Sequence, residues 1–435
     1  MKKQEMVDAE KRVMPVVSGG ARHRTGHGRT CYRSERCHID DKQNKRRGAL
    51  RRWRRQMTGL AAGMTALMCL LTLWPVQAQA AELPIQSRAA LLMEKTTGQV
   101  LYARNEHEQL EPASVTKIMT LLLIMEALDS GRIARDDMVT VSAYAAGMGG
   151  SQVYLKEGEQ MSVSELLKCI TVVSGNDAAV AMAEYLSGSE AAFVAEMNLR
   201  ARELGMADTN FVNCTGLPAQ GHLTSAHDIA LMSRELILNH PSIREYTTIW
   251  MDSIRDGAFG LTNTNRLVRF YQGATGLKTG STDSALYCVS ATAERDGMEL
   301  IAVVMKSPTS AQRFEDAKAL LDYGFANYTL ARVYPDVPLA PVEVLLGTTA
   351  QVQPQLEREC SLLVRKGEEG LISTQIQLAQ DLEAPVEAGQ KVGQLEILVN
   401  GELRDTVPII SSQQVQRLTT GGILQRMLRG LLMAG

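Results

Sequence analysis

Apolar and polar positions change rhythm several times along this chain, and each change predicts an element. Two short apolar runs, residues 89–93 and 99–102, flank the turn signature Thr96-Thr97-Gly98 and predict a β-hairpin. Residues 118–128 are almost wholly apolar and too long for a typical strand. They predict a helix buried on all sides, with Ser114 in its N-terminal turn. The glycine-rich stretch Gly147-Met148-Gly149-Gly150 leads to a second helix over 162–173, which ends at Ser174-Gly175-Asn176. Helices follow at 177–186, 190–204 and 223–239, the last opened by Thr224-Ser225 and closed by Asn239-His240-Pro241. Residues 285–293 and 298–305 read as strands around Arg295-Asp296-Gly297, and 311–326 as an amphipathic helix. Strands at both ends of a helical middle predict an α+β domain, with an antiparallel sheet and helices grouped beside it.

Pro335, Pro338 and Pro341 then mark a linker. Beyond it, short apolar and polar alternations at 342–346, 361–364, 372–378 and 391–398, separated by Gly and Pro turns, predict a small all-β module. Near the C-terminus Ile423, Leu424, Met427, Leu428, Leu431 and Leu432 fall on one half of a helix, and Gln425, Arg426 and Arg429 on the other. A basic amphipathic helix of this kind lies in a membrane interface or docks on the preceding module.

Charge divides the chain. Residues 1–56 carry 17 Lys and Arg against 6 Asp and Glu, whereas the remainder carries 29 against 42. An acidic body lacks the clustered cations that phosphate backbones require, which argues against nucleic acid as a ligand. The basic segment runs into a stretch free of charge from Met57 to Ala81, ending in Ala78-Gln79-Ala80. Cationic, apolar and small-residue parts in that order predict a secretory signal cleaved before Ala81, the alternative being an uncleaved membrane anchor. Of seven cysteines only Cys169, Cys214, Cys288 and Cys360 follow that site, and none belongs to a C-x-x-C pair. Cys169 and Cys288 lie in apolar runs and read as buried thiols, and no metal site or cofactor is predicted.

The candidate chemistry starts at Ser114-Val115-Thr116-Lys117, where a hydroxyl and an amine three residues apart share one helical face. The amine takes the hydroxyl proton if desolvation or a nearby cation keeps Lys117 neutral part of the time. The helix N-terminus also favours the negative charge that develops during attack on a carbonyl. Alone, Ser-x-x-Lys is common. Two further groups give it meaning: Ser174-Gly175-Asn176, where a hydroxyl relays a proton and an amide holds a substrate amide, and Lys278-Thr279-Gly280, opening onto a strand and suited to a substrate carboxylate. Other motifs fail. Leu277 separates Gly276 from Lys278, which breaks a phosphate-loop match; there is no Gly-x-Ser-x-Gly, and His227-Asp228 reads as helix-surface polarity. The string from Glu235 to Asn239 matches the deacylating motif of class A β-lactamases, but it sits too far along the chain.

Pro112 to Thr120, Ser174 to Ala178 and Gly276 to Gly280 resemble the three signatures of the low-molecular-mass penicillin-binding proteins, and specifically the serine-type D-alanyl-D-alanine carboxypeptidases of peptidase family S11. The resemblance extends from about residue 83 to residue 328, and more loosely through the β module and the C-terminal helix. It implies a β-lactamase/transpeptidase-like catalytic domain over 81–335, a β-sandwich over 336–411 and a membrane-anchoring helix over 412–435. It also implies Ser114 as nucleophile, Lys117 as general base, and Ser174 and Asn176 as the second element. Lys278, Thr279, Gly280, Ser281 and Arg313 would then bind substrate, with an oxyanion hole from the N–H groups of Ser114 and Ser281. The substrate implied is the peptidoglycan stem peptide, β-lactams are covalent inhibitors, and the location is the outer face of the bacterial cell membrane. A cross-link endopeptidase and a non-catalytic wall-binding protein are the alternatives. The sequence departs from the family at Asn213-Cys214-Thr215-Gly216-Leu217 and at Ala285-Leu286-Tyr287, neither change being expected to touch the proposed chemistry.

Overall fold

The computed structural model describes residues 83–433. The basic leader, the uncharged run and its cleavage site lie outside the described residues.

The first hairpin forms as expected, β1 (Ala89–Glu94) pairing antiparallel with β2 (Val100–Arg104). Next comes α1 (Lys117–Asp129), with ten of its thirteen residues buried, followed by α2 (Val163–Val172), α3 (Asn176–Ser187), α4 (Glu190–Glu203) and α5 (Ala226–Asn239). A small hairpin, β3 (Met251–Ile254) and β4 (Phe259–Thr262), precedes three long strands, β5 (Ala274–Thr282), β6 (Leu286–Arg295) and β7 (Met298–Ser307). Helix α6 (Ser310–Asn327) and strand β8 (Tyr328–Val333) follow. Side-chain oxygens of Ser162, Ser189, Ser225 and Thr309 accept the N–H of the third residue of α2, α4, α5 and α6, which fixes where each helix begins.

The main sheet has the order β2-β1-β7-β6-β5, all neighbours antiparallel, and is built from both ends of the domain. Its central strands are apolar on both faces because both are covered. Leu91, Met93, Ile301, Val303 and Met305 pack into the core formed by α1 to α5, while Ala90, Leu92, Leu300, Ala302 and Val304 face Phe314, Leu320, Leu321 and Phe325 of α6. At Gly324 a Cβ would fall 2.5 Å from Leu300 Cδ1, so α6 lies directly on the sheet there.

The module contains β9 (Val342–Leu345), β10 (Gln351–Val352), β11 (Pro354–Leu356), β12 (Cys360–Arg365), β13 (Ile372–Leu378), β14 (Asp381–Glu383), β15 (Lys391–Val399) and β16 (Glu402–Ser411). Sheets of order β10-β9-β14 and β11-β16-β15-β13 enclose two small cores that share Leu378 and Leu382. Two details differ from expectation. β8 pairs with β12 over six residues, so a hydrogen-bonded ribbon spans the proline linker. Residues 413–418 belong to the module rather than to the last helix: Val415 is buried in its core, and bridges join Val415 to Val386 and Arg417 to Gly347. The helix itself is α7 (Thr420–Met433), on which Ile423, Leu424, Met427, Leu428 and Leu432 stay exposed. Among the described residues no helix is long and apolar enough to cross a membrane.

Cys169, Cys214, Cys288 and Cys360 are all buried and free. A thiol reagent applied without reductant to the 81–435 chain is therefore expected to titrate these four groups after denaturation and to leave them unmodified in the native protein. A disulfide between any pair contradicts this arrangement.

Candidate active site

Ser114 sits in a single 3-10 turn, Ala113–Thr116, that runs directly into α1, rather than in the α-helix itself. The turn is entered through Ala113 at φ 48°, a left-handed conformation that costs a non-glycine residue about 1–3 kcal/mol. Its surroundings hold it there. A Cβ on Gly216, itself at φ 82°, would lie 1.8 Å from Ala113 O, so only glycine permits the approach. Thr116 Oγ1 donates to the same carbonyl at 2.8 Å, and His222 Nε2 lies 2.8 Å from that hydroxyl. Because His222 Nδ1 accepts from Val212 N at 2.9 Å, the ring proton is on Nε2 and points at Thr116. Burial pushes the His222 pKa down to about 4, which keeps the imidazole neutral and the chain of bonds intact.

Lys117 is fully buried at the head of α1. Its Nζ lies 3.1 Å from Ser114 Oγ, 2.6 Å from Asn176 Oδ1 and 2.7 Å from Thr215 O. Desolvation pushes its pKa down to about 7, against the opposing influence of Cys214 and Asp177. A neutral amine has two hydrogens and one lone pair. Asn176 Oδ1 and Thr215 O accept the hydrogens, which aims the lone pair at the Ser114 hydroxyl. The Asn213–Leu217 loop thus takes part in the site through its backbone. Thr215 O grips the amine, Cys214 O accepts from Thr120 Oγ1 at 2.7 Å, and Gly216 supports the serine turn.

The second wall starts where α2 ends. Ser174 adopts φ 65° and its Oγ is buried without a partner, while Asn176 Nδ2 donates to Gly149 O at 2.7 Å. The Asp177 carboxylate accepts the N–H groups of Val153 and Leu155 at 3.0 and 3.1 Å and so fixes the loop above this wall. The third wall is β5, and Lys278-Thr279-Gly280 lies within that strand rather than before one. A Cβ on Gly280 would stand 2.8 Å from Ser114 N, which brings the strand backbone against the serine turn. Thr279 Oγ1 donates to Thr264 Oγ1 at 2.7 Å, and Ser281, next along the strand, is exposed. Arg313 is buried behind β5, where its Nη1 donates to Gly280 O at 3.0 Å and to Cys288 O at 3.4 Å. Its guanidinium therefore backs the strand, and only Nε is left without a partner.

Lys278 Nζ makes one hydrogen bond, to Thr279 O at 3.0 Å. Burial, and then the charges of Lys117 and Arg313, hold its pKa well below the ordinary lysine range. Among the described residues no carboxylate forms an ion pair with Lys117, Lys278 or Arg313. Buried basic groups without acidic partners fit an anionic ligand, whose charge would favour the protonated form of Lys278. Glu126, Glu235 and His240 lie close enough together to hold a metal, but the Arg200 guanidinium already engages both carboxylates, at 2.8 Å from Glu126 and 2.6 Å from Glu235, and His240 Nδ1 is paired with Asp129. Glu235, the first residue of the β-lactamase-like string, is thereby engaged in an ion pair.

A serine poised against a desolvated lysine, facing a lysine-bearing edge strand, defines the active-serine acyl-transfer class. Residues 76–309 match the family model of D-alanyl-D-alanine carboxypeptidase, and 334–417 match that of the penicillin-binding protein 5 C-terminal domain. The chain belongs to the D-alanyl-D-alanine carboxypeptidase family, peptidase S11. It is similar to D-alanyl-D-alanine carboxypeptidase DacF of Bacillus subtilis, at 42% identity over 77% of this chain and 87% of that one. DacC of Escherichia coli is 34% identical over 85% of this chain and 94% of its own. Crystalline penicillin-binding protein 5 from Haemophilus influenzae superposes with a TM-score of 0.68 at 29% identity, covering 77% of this chain and 98% of that one.

Gly216→Ala is expected to lower penicillin acylation by at least about tenfold and to destabilise the fold by about 1–3 kcal/mol, since both the left-handed backbone and the contact with Ala113 O forbid a methyl group. Stopped-flow acylation and chemical denaturation measure the two effects.

Proposed function

We propose that the enzyme removes the terminal D-alanine of peptidoglycan pentapeptide stems through an acyl-enzyme on Ser114. Neutral Lys117 takes the hydroxyl proton as Ser114 Oγ bonds to the penultimate carbonyl carbon, and the oxyanion faces the N–H groups of Ser114 and Ser281. The C–N bond then breaks, and the departing amine receives a proton relayed through Ser174 from protonated Lys117. Water, deprotonated by Lys117, hydrolyses the ester. Asn176 holds the substrate amide, and Lys278 and Thr279 take the terminal carboxylate from the exposed side of β5, with Arg313 supporting the strand from behind. The observation that carries this reading is the cluster of buried basic side chains, Lys117, Lys278 and Arg313, with no carboxylate partner, beside an unpartnered Ser174 hydroxyl.

The leader and the apolar face of α7 support an exported protein attached to the outer face of the cell membrane. Exposed apolar side chains, with Arg426 and Arg429 at positions on the other half of the helical pattern, suit an interfacial helix.

Three outcomes are expected. Ser114→Ala abolishes both D-alanine release from a defined pentapeptide and labelling by a fluorescent penicillin; release at the parental rate refutes the nucleophile. Because only neutral Lys117 accepts the proton, kcat/KM rises with pH through about 7 and lies roughly tenfold below its plateau one unit under that value. A pH profile with no acid limb near neutrality removes Lys117 as base. Truncation after Leu418, which spares buried Val415, moves the protein to the soluble fraction; retention on membranes excludes α7 as the anchor.

A further inference from the structure

Arg313 stands four residues into α6 and is only 7% exposed. Its guanidinium carbon lies 4.8 Å from the centroid of the Phe314 ring and 5.5 Å from that of Tyr287, so two rings hold the group in place. Nη2 reaches Ser310 Oγ at 3.4 Å, while Nη1 donates to Gly280 O at 3.0 Å and to Cys288 O at 3.4 Å. Gly280 and Cys288 are paired across β5 and β6. A donor shared by the carbonyls of a cross-strand pair lies between the two strands, so the Gly280 C=O is turned toward β6.

The consequence falls on the next residue. The Gly280–Ser281 peptide is trans, and in a planar trans peptide the N–H points opposite to the C=O. That N–H belongs to Ser281. It is aimed away from β6, at the free side of β5, which is an edge strand of the sheet. The same stretch of backbone lies against the nucleophile's turn, since a Cβ on Gly280 would stand 2.8 Å from Ser114 N and 2.9 Å from Pro112 O.

The peptide sits where strand pairing is least regular. The register of β6 against β7 shifts across Cys288, and β5 ends one residue after Ser281. The connection back into β6 closes on Leu286 at φ 54°, a left-handed conformation that costs a leucine about 1–3 kcal/mol. A brace from α6 therefore acts at the point where the ladder is weakest. It also brings charge. A cationic donor on a carbonyl oxygen polarises the amide and makes the N–H at its other end a stronger donor.

We propose that Arg313 is a positioning residue for the oxyanion hole, orienting and polarising the Gly280–Ser281 peptide so that Ser281 N–H meets the negative oxygen formed when Ser114 attacks. The inference rests on the reading of the Ser114 and Ser281 N–H groups as that hole. It assigns Arg313 to the transition state and leaves the grip on the terminal carboxylate to Lys278 and Thr279.

The test uses Arg313→Met, which keeps an unbranched side chain and removes the donors, and Arg313→Lys, which keeps a charge and a donor. Acylation by excess benzylpenicillin and by its methyl ester, whose carboxylate is masked, is followed as a pseudo-first-order rate constant, a quantity that does not depend on how much of a variant folds. Arg313→Met is expected to lower it by at least about tenfold with both reagents, the two factors agreeing within about threefold, and Arg313→Lys to recover part of each loss. In the penicilloyl-enzyme, hydrogen bonds from the hole lower the stretching frequency of the ester carbonyl. Infrared spectra should show that band at higher wavenumber in Arg313→Met, a change that lost stability alone does not produce. A loss confined to the reagent with a free carboxylate makes Arg313 a carboxylate ligand and overturns the proposal; so does an unmoved carbonyl band, or acylation within about twofold of the parent. Should Arg313→Met yield no folded protein, Arg313→Lys decides by the same readouts, with a smaller loss shared by both reagents and a band shifted in the same direction. A parent that is acylated but releases no D-alanine from a pentapeptide sinks the carboxypeptidase reading instead, and the penicillin measurements still decide Arg313.

Discussion

The site depends on keeping one amine dry. Lys117 is fully buried, and burial rather than a neighbouring charge lowers its proton affinity, so every element that excludes water from it takes part in the chemistry. The apolar helix behind it, the Asn213–Leu217 loop beside it and Asn176 across from it all serve that end. The helix core also explains why the site is built where it is. Ile118, Met119, Leu121 and Leu122 are wholly buried, which anchors the first turn of α1 and leaves the serine turn at its mouth no freedom to drift.

Strain is placed on both sides of the nucleophile. Ala113 and Ser174 both occupy left-handed backbone, one immediately before Ser114 and the other on the facing wall. The Gly216 contact and the Val212–His222–Thr116 chain hold the first; the second sits at the junction of α2 and α3, whose register is set by Asp177 and by Gly175 N donating to Cys169 O at 2.9 Å. Fixed geometry of this sort lets hydrogen-bond donors meet developing charge without rearrangement.

Much of this was legible in the chain. The helices announced themselves through caps and apolar stripes, as Ser225 and the 226–239 pattern illustrate, and the chemistry through three spaced motifs. What escaped did so for several physical reasons. Strand β5 reads Ala-Thr-Gly-Leu-Lys-Thr-Gly-Ser-Thr, a run whose glycines and polar side chains suppress strand character because it faces a cleft and the serine turn instead of a core. β16 was hidden by Pro408 and by charged residues at Glu402, Arg404 and Asp405. The contributions of Thr215 and Cys214 are made by backbone carbonyls, which leave no trace in residue identity. His222 gave no signal because its partners are a threonine and a backbone N–H distant in sequence.

The ribbon between β8 and β12 has a consequence for how such proteins can be recombined. Strand β8 follows α6 without a break, yet its partner belongs to the module, so six residue pairs stitch two units that a proline-rich connection would otherwise leave independent. A chimera joined within that connection carries a mismatched β8, with bare N–H and C=O groups along one edge. Exchange between relatives preserves the seam only when residues 328–333 travel together with the sandwich.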